Sequence, residues 1–511
     1  MSADGYVIGC DVGSQGTNAA LYAADGRLVD TSYAPYDVDF PRPGWAEQPA
    51  RLWEEAMRRA CRALVGRLDG TPDAVRAISF GSQLDGQVPL DADRTPLRPC
   101  LIWMDRRAEA QARALGERLS PKRFYELSGA NLDSSHGVFK ILWVRDQEPD
   151  VFARARHFVT PGTYAVLSAS GELAVDPSNA SSVALLDPRT RSWSDELLAA
   201  AELDPALMVP VRPSTEAVGT VTEEFATATG LSRSTLVVVG CGDEMAATLG
   251  AGVRAEGEVC DVVGTAEPVC ASSAEPHQDP TMLVECHPHG DPDTWLMENP
   301  GFVSGGNLRW FRDQLGGLER EVELAGGGDA YDLLCREAAG SPAGSDGLVF
   351  LPCMQGAMAP EWNGAARGVF FGLTLAHTRS HMMRAVLEGS AYALRDILEA
   401  MSGSGLEPRR LTIVGGGAKG PLWRQIKADV TGIPVRVPES VETTAGGAAV
   451  LAAVGAGLYS SCAEAAEQFV SFLPEEHQPD PEASAVYEAA YALYRDVYAA
   501  AKPVFERHAR G

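Results

Sequence analysis

The sequence has no uninterrupted apolar run near the roughly 20 residues a membrane span needs, and a soluble protein is expected. Its ten cysteines include no Cys-x-x-Cys pair, so reduced thiols in a cytoplasm fit better than a disulfide framework or a cysteine-held metal. The start, Met1-Ser2-Ala3-Asp4-Gly5, lacks a basic region followed by a long apolar segment, and no export signal is expected. Positive charge is also scarce: 43 Lys and Arg stand against 69 Asp and Glu, a formal charge of -26. That balance excludes nonspecific attraction to nucleic acid or anionic lipid, since both polyanions are held through Lys and Arg. No fixed-period repeat, low-complexity tract, Walker loop or Gly-x-Ser-x-Gly elbow is present.

What is present begins with a passage written nearly twice, Cys10-Asp11-Val12-Gly13-Ser14 and Cys260-Asp261-Val262-Val263-Gly264-Thr265. In each, an apolar run ends in an acid, a glycine and a hydroxyl residue, the way backbone amides are turned toward a phosphate. Two such turns imply two related halves facing one nucleotide. A chain of 511 residues is too long for one ordinary core, and strands alternating with helices argue an α/β class. Strands are expected at 6–10, 19–22, 27–31, 74–80 and 411–414. Helices are expected over 49–68 and 421–430, and the boundary between halves is placed at 235/236. Tyr487, Tyr491, Tyr494 and Tyr498 recur at helical spacing near the end and read as packing.

A third glycine turn, Val239-Gly240-Cys241-Gly242-Asp243-Glu244, puts a carboxylate between a strand and an alanine-rich helix. Asp243 could be a helix cap alone. Together with Asp11, which could hold magnesium or its waters, it also suits phosphoryl transfer, one carboxylate deprotonating a hydroxyl while the other places the metal. Gly415-x-Gly417-x-x-Gly420 admits three readings: a dinucleotide fingerprint with Glu439 as its ribose acid, an adenosine site, or a plain helix start. Glu285-Cys286-His287-Pro288-His289 imitates a metal site but lacks matched distant ligands, and reads as structural.

The chain resembles the FGGY carbohydrate kinases, and within them the xylulokinase branch. The carrying residues are Gly368-Val369-Phe370-Phe371-Gly372-Leu373 followed by His381 to Glu388, the stretch Ser135 to Gln147 with Lys140, Trp143 and Asp146, and Gly44-Trp45-Ala46-Glu47-Gln48. Ile102 to Arg107 and Gly415 to Lys419 complete the set, in the family's order. The resemblance implies two actin-like, ribonuclease-H-like domains, residues 1–235 and 236–511, with ATP, Mg2+ and a small sugar or polyol meeting in the cleft between them. It further implies Asp243 as the base and a metal ligand with Asp11. Gly13, Ser14, Gln15, Gly264, Thr265, Gly416, Gly417 and Ala418 would meet ATP. Gln83, Leu84, Asp85, Trp103, Asp105 and Glu244 would surround the sugar. A cytoplasmic kinase of a small ketose is expected, D-xylulose first and L-xylulose, ribulose, xylitol or erythritol as alternatives, with a homodimer allowed. A non-catalytic actin-like sensor and a nicotinamide oxidoreductase are the readings from other classes.

Four places in the chain depart from that branch. Leu84-Asp85 stands for Met-His, Glu244 for Asn, Ala266-Glu267 for Ser-Gly, and Asn18 for a basic residue. Three extra acids near the pocket favour a neutral, hydroxyl-rich substrate over gluconate.

Overall fold

The computed structural model describes residues 5–509, so the first four residues, Arg510 and Gly511 lie outside it. Alternating apolar runs close the first hairpin: β1 (Tyr6–Val12) pairs antiparallel with β2 (Gly16–Ala23), and β2 with β3 (Leu28–Pro35). The turn at Ala24-Asp25-Gly26 uses a left-handed Gly26, φ 88°. β1 runs two residues past its expected end because Asp11 and Val12 pair with Asn18 and Thr17. Asp11 therefore sits within the strand. The amphipathic α1 (Ala50–Arg67) leads into β4 (Val75–Ser82), which lies parallel to β1.

Among the helices that follow β4 are α2 (Gly137–Gln147) and the short α3 (Pro177–Ser182). β5 (Ala217–Thr220), β6 (Leu236–Val238) and β7 (Cys241–Gly242) complete the first sheet, in the order β5-β6-β4-β1-β2-β3 with β7 also beside β4. The expected boundary at 235/236 is thereby corrected. β6 and β7 hydrogen-bond to β4, and α4 (Asp243–Gly250) continues from β7, so this half extends to about residue 250.

The second sheet repeats the plan. β8 (Glu258–Val262), β9 (Ala266–Ser273), β10 (Glu285–Pro288), β11 (Trp295–Val303), β12 (Arg410–Val414) and β13 (Val435–Arg436) stand in the order β10-β11-β9-β8-β12-β13. β8 pairs antiparallel with β9 and parallel with β12, as β1 does with β2 and β4. α5 (Gly305–Leu315), α6 (Arg379–Gly403) and α7 (Pro421–Thr431) flank it. α9 (Pro481–Ala509) packs its tyrosine stripe on α6: Tyr487, Tyr491, Tyr494 and Tyr498 are all buried, three of them around Tyr392.

One helix ties the halves. α8 (Thr443–Gly455) leaves the second half and packs on β1, β4 and α4. It comes so close that a Cβ at Gly447 would stand 1.9 Å from the Ala246 carbonyl oxygen. Gly447→Ala should therefore cost about 1–3 kcal/mol in urea unfolding, because a backbone carbonyl cannot swing aside as a side chain can. Unchanged stability would mean that the two helices are free to separate.

Candidate active site

The first sheet sets two carboxylates either side of one strand. Asp11 on β1 and Cys241 on β7 both stand opposite Gly81 of β4, and Gly242 opposite Ser82. With strands about 4.8 Å apart, the backbones at Asp11 and the start of α4 are roughly 10 Å apart. The strand-to-helix corner depends on Gly240, whose φ is 85° and where a Cβ would fall 2.0 Å from the Phe80 carbonyl oxygen. Asp243 is the first residue inside α4, the cap being Gly242, so capping does not account for its carboxyl. That carboxyl is pushed well above the ordinary range by burial first, then by the charges of Glu244 and Asp11. Asp11 rises to about 7 through burial and the neighbouring Glu442. Repelling carboxylates with no cation among them suit a hard divalent ion such as Mg2+, and Asp11 and Asp243 are the residues that would hold it.

Around Gly13, Ser14 and Gln15 the carbonyls are tied down. Tyr36 Oη donates to Gly13 O at 2.6 Å, Tyr33 Oη to Gln15 O at 2.9 Å and Gln48 Nε2 to Ser14 O at 2.7 Å. Gln83, expected beside the sugar, is buried and donates to Gly13 O at 3.2 Å and Gln48 Oε1 at 2.9 Å, so it braces this turn instead. Trp103 lies 43% exposed with its indole N–H on Ser14 Oγ at 2.8 Å. Asp105 corrects a second expectation. Its carboxylate is fully buried, accepting from the Ala46 amide at 2.7 Å and from Arg107, and it holds the loop rather than lining a pocket.

The second turn is built differently. Gly264 and Thr265 are exposed, Gly306 at the start of α5 donates to Thr265 O at 3.0 Å, and Arg309 Nη2 reaches Thr265 Oγ1 at 3.3 Å. The positive end of α5 and one guanidinium thus stand where the sequence showed only a hydroxyl. Gly416 is exposed with open space where a side chain would begin, Gly417 donates to Val263 O at 3.1 Å, and Ala418 is buried, so the short turn Gly416–Lys419 abuts the second turn. Asp261 repeats Asp11 in sequence and strand position but not in surroundings. It is buried against Lys427, whose Nζ also lies 2.8 Å from Glu267 Oε1. Glu267, counted among the extra acids near the pocket, therefore belongs to a buried ion triad. Asn18 bonds the Glu442 carboxylate, and Glu439 bonds Ser471 at 2.7 Å.

Around the residues expected to meet the sugar, the two halves join in a chain of acids and imidazoles. Asp85, left-handed at φ 62°, is fixed by its N–H to Ser182 Oγ at 3.1 Å and by Lys140 Nζ on its carbonyl at 2.9 Å. His136 bridges Asp85 Oδ1, 3.1 Å from Nδ1, and Glu285 Oε1, 3.6 Å from Nε2. His287 lies between Ser181 Oγ at 2.7 Å and Glu285 Oε2 at 3.3 Å, with Glu298 at 3.9 Å. Glu244, Glu298 and Cys270 bring their polar atoms within 4.8 Å of one another. Burial raises both carboxyls, the Glu244 charge raises Glu298 further, and the hydrogen bond between them lowers Glu244, so that pair shares a proton. Leu84 packs beneath, against Gly242.

α3 braces this arrangement one residue at a time: Ser178 Oγ accepts from Gly242 N at 2.9 Å, Asn179 Oδ1 from Ser82 Oγ at 3.2 Å, and Ser181 and Ser182 hold His287 and Asp85. His289 stays structural, bonded to Thr248 at 2.7 Å and held down to about 4 by burial. His136, Glu298, Glu442, Arg309 and the α3 hydroxyls were missed, because each acts through a partner more than forty residues away in the chain.

Asp11 gives a stability test. Its folded carboxyl keeps a proton up to about pH 7 that the unfolded chain loses near pH 4, so the native state binds more protons between these values and stability falls as pH rises through that window. Asp11→Asn should melt a few degrees higher than wild type at pH 8 and nearly equal to it below pH 4. Equal melting at both pH values would remove the strain assigned to Asp11.

Comparison with known proteins finds relatives along nearly the whole chain. Residues 6–250 match the FGGY family of carbohydrate kinases, N-terminal domain, and residues 261–456 its C-terminal domain. The gluconokinase of Bacillus subtilis (strain 168) is 30% identical over 458 residues, 89% of this chain and 88% of that one. The xylulose kinase of Escherichia coli (strain K12) is 31% identical over 493 residues, 96% and 98% of the two chains. The crystal structure of xylulose kinase from Rhodospirillum rubrum superposes with a TM-score of 0.91 at 29% identity, covering 98% of this chain and 100% of that one.

Proposed function

This chain belongs to the FGGY family of carbohydrate kinases, and from that premise we propose that it transfers the γ-phosphoryl group of ATP to a primary hydroxyl of a small neutral ketose, D-xylulose first, with L-xylulose, ribulose, xylitol and erythritol as alternatives. What carries the reading is the pair Asp11 and Asp243, uncompensated carboxylates flanking β4, each next to a glycine turn of the first half. When bound, Mg2+ would neutralise phosphate charge and align the transferred group. Asp243 takes the proton of the attacking hydroxyl. Its raised pKa suits a base that must hold that proton until product leaves. Thr265, Arg309 and the α5 N-terminus face the phosphate side, Gly416 and Gly417 the adenosine side.

Relatives with different named substrates match about equally well, so local chemistry has to rank the sugars. Asp85 and Glu244 offer acceptors to hydroxyl groups and repel a carboxylate. Glu267 is withdrawn from that count by Lys427. The preference for a neutral sugar rests on the remaining two.

ADP release with Mg2+ and ATP over pentuloses, pentitols, tetritols, glycerol and gluconate should show one neutral compound preferred by about 100-fold or more over gluconate. Gluconate turnover equal to the best neutral sugar would overturn the substrate class. Asp243→Asn should lower kcat by at least about 10³-fold with ATP still bound, and near-normal turnover would reject its role as base. Arg309→Ala should raise the KM for ATP several-fold and leave the sugar KM unchanged. An unaltered ATP KM would place the phosphates elsewhere.

A further inference from the structure

Where the sugar is read, the branch this chain resembles carries an imidazole in the turn, and here the turn carries Asp85. The structure nevertheless puts an imidazole at this place, from another element. His136, at the entrance of α2, reaches Asp85 through Nδ1 and Glu285 of the second half through Nε2. We propose that His136 is a positioning residue for sugar recognition: it fixes one carboxylate oxygen of Asp85 so that the other is presented, in one orientation, to a pair of substrate hydroxyls.

Four observations carry this. First, both ring nitrogens of His136 face carboxylates, and the side chain is 8% exposed, so it acts through Asp85 and does not itself meet substrate. Second, every other handle on Asp85 is held: its N–H by Ser182, its carbonyl by Lys140, its backbone in the left-handed region. A side chain with one oxygen pinned and 17% of its surface open has a single polar face left to offer. Third, Leu84, the residue before Asp85, packs against Gly242, the residue before the proposed base, so this turn adjoins the reacting end of the site. Fourth, Glu285 is itself fixed by the Asn131 amide at 2.8 Å and by His287, which makes His136 the hinge pin between a loop of the first half and a strand of the second. Without His136, Asp85 and Glu285 would be like charges with nothing between them.

The ligand class follows from the acceptor. A carboxylate oxygen takes hydrogen bonds from neighbouring hydroxyls of a polyhydroxy chain, and a charge-assisted bond is roughly twice as strong as a neutral one. A deoxy analogue lacking one of those hydroxyls would be disfavoured steeply.

This inference rests on the sugar-kinase reading above, and a double-mutant cycle on the full-length protein tests it. Sugar affinity is measured by calorimetry without nucleotide and by steady-state kinetics with ATP, using the preferred compound of the panel. His136→Gln and Asp85→Asn should each weaken sugar binding about 10- to 100-fold, with the KM for ATP within about two-fold of wild type. The double variant should bind no worse than Asp85→Asn alone, since His136 acts only through that carboxylate. His136→Gln/Glu285→Gln, which removes the acid that would otherwise face Asp85 with no cation between them, guards against loss of folding and should show the same weakened sugar affinity with ATP binding intact. Unchanged sugar affinity in His136→Gln, or losses that multiply in the double variant, would overturn the proposal while leaving the kinase reading in place. A wild-type protein that neither binds nor phosphorylates any compound in the panel would overturn both.

Discussion

The rest of the structure depends on negative charge left uncompensated around one strand. Asp11, Asp243, Glu244 and Glu442 converge where burial strengthens their repulsion. Such an arrangement persists only if the backbone is held from several sides. Gly240 folded against Phe80, α8 pressed onto β1, β4 and α4, and the α3 side chains bonded to Gly242, Ser82 and Asp85 provide that hold. The tight glycine and alanine contacts of α8 are therefore part of the site, because they deliver Glu442, the residue before the helix, to the neighbourhood of Asp11. Stability is spent where charge will be needed.

The two halves show what that strain means by contrast. β1-β2-β4 and β8-β9-β12 share one pattern of pairing, and Asp11 and Asp261 occupy corresponding strands. In the second half Lys427 fills the place beside the acid, and Glu267 completes a buried triad. A charge compensated in this way can stiffen a core but has no capacity left for a cation. In the first half the corresponding strand pairs Asp11 with Asn18, whose amide turns to Glu442. One copy of the repeat is closed electrostatically and the other is open.

Much of this was legible in the chain. Strand alternation, the helix before β4, the tyrosine stripe and the three glycine turns follow from local pattern, and they lie where the periodicity put them. The boundary at 235/236 was misplaced because a new strand looks like a new domain in sequence, whereas β6 and β7 are claimed by hydrogen bonds to β4, some 160 residues earlier. Gln83 and Asp105 were drawn to the sugar by their motifs, yet each has its polar atoms filled by backbone and side chains that no spacing rule reveals. His136 lay inside a recognised stretch without a role, since an imidazole means little until its two carboxylates are in view. Local grammar shows which turns exist, and long-range pairing decides which charges remain free.

That distinction bears on the sugar side. Counted in sequence, the departures add three acids. In space one is cancelled by Lys427, one shares a proton with Glu298, and one is clamped by His136. The formal increase in charge thus shrinks to the clamped carboxylate of Asp85 and the Glu244–Glu298 pair, and an imidazole, that of His136, stands behind Asp85. Under the proposed function, the group offered to the substrate only accepts, where an imidazole can donate or accept. Discrimination then depends on the number and placement of hydroxyl donors along the sugar more than on its overall charge, because an oriented acceptor left unpaired in a buried site is penalised by each missing partner.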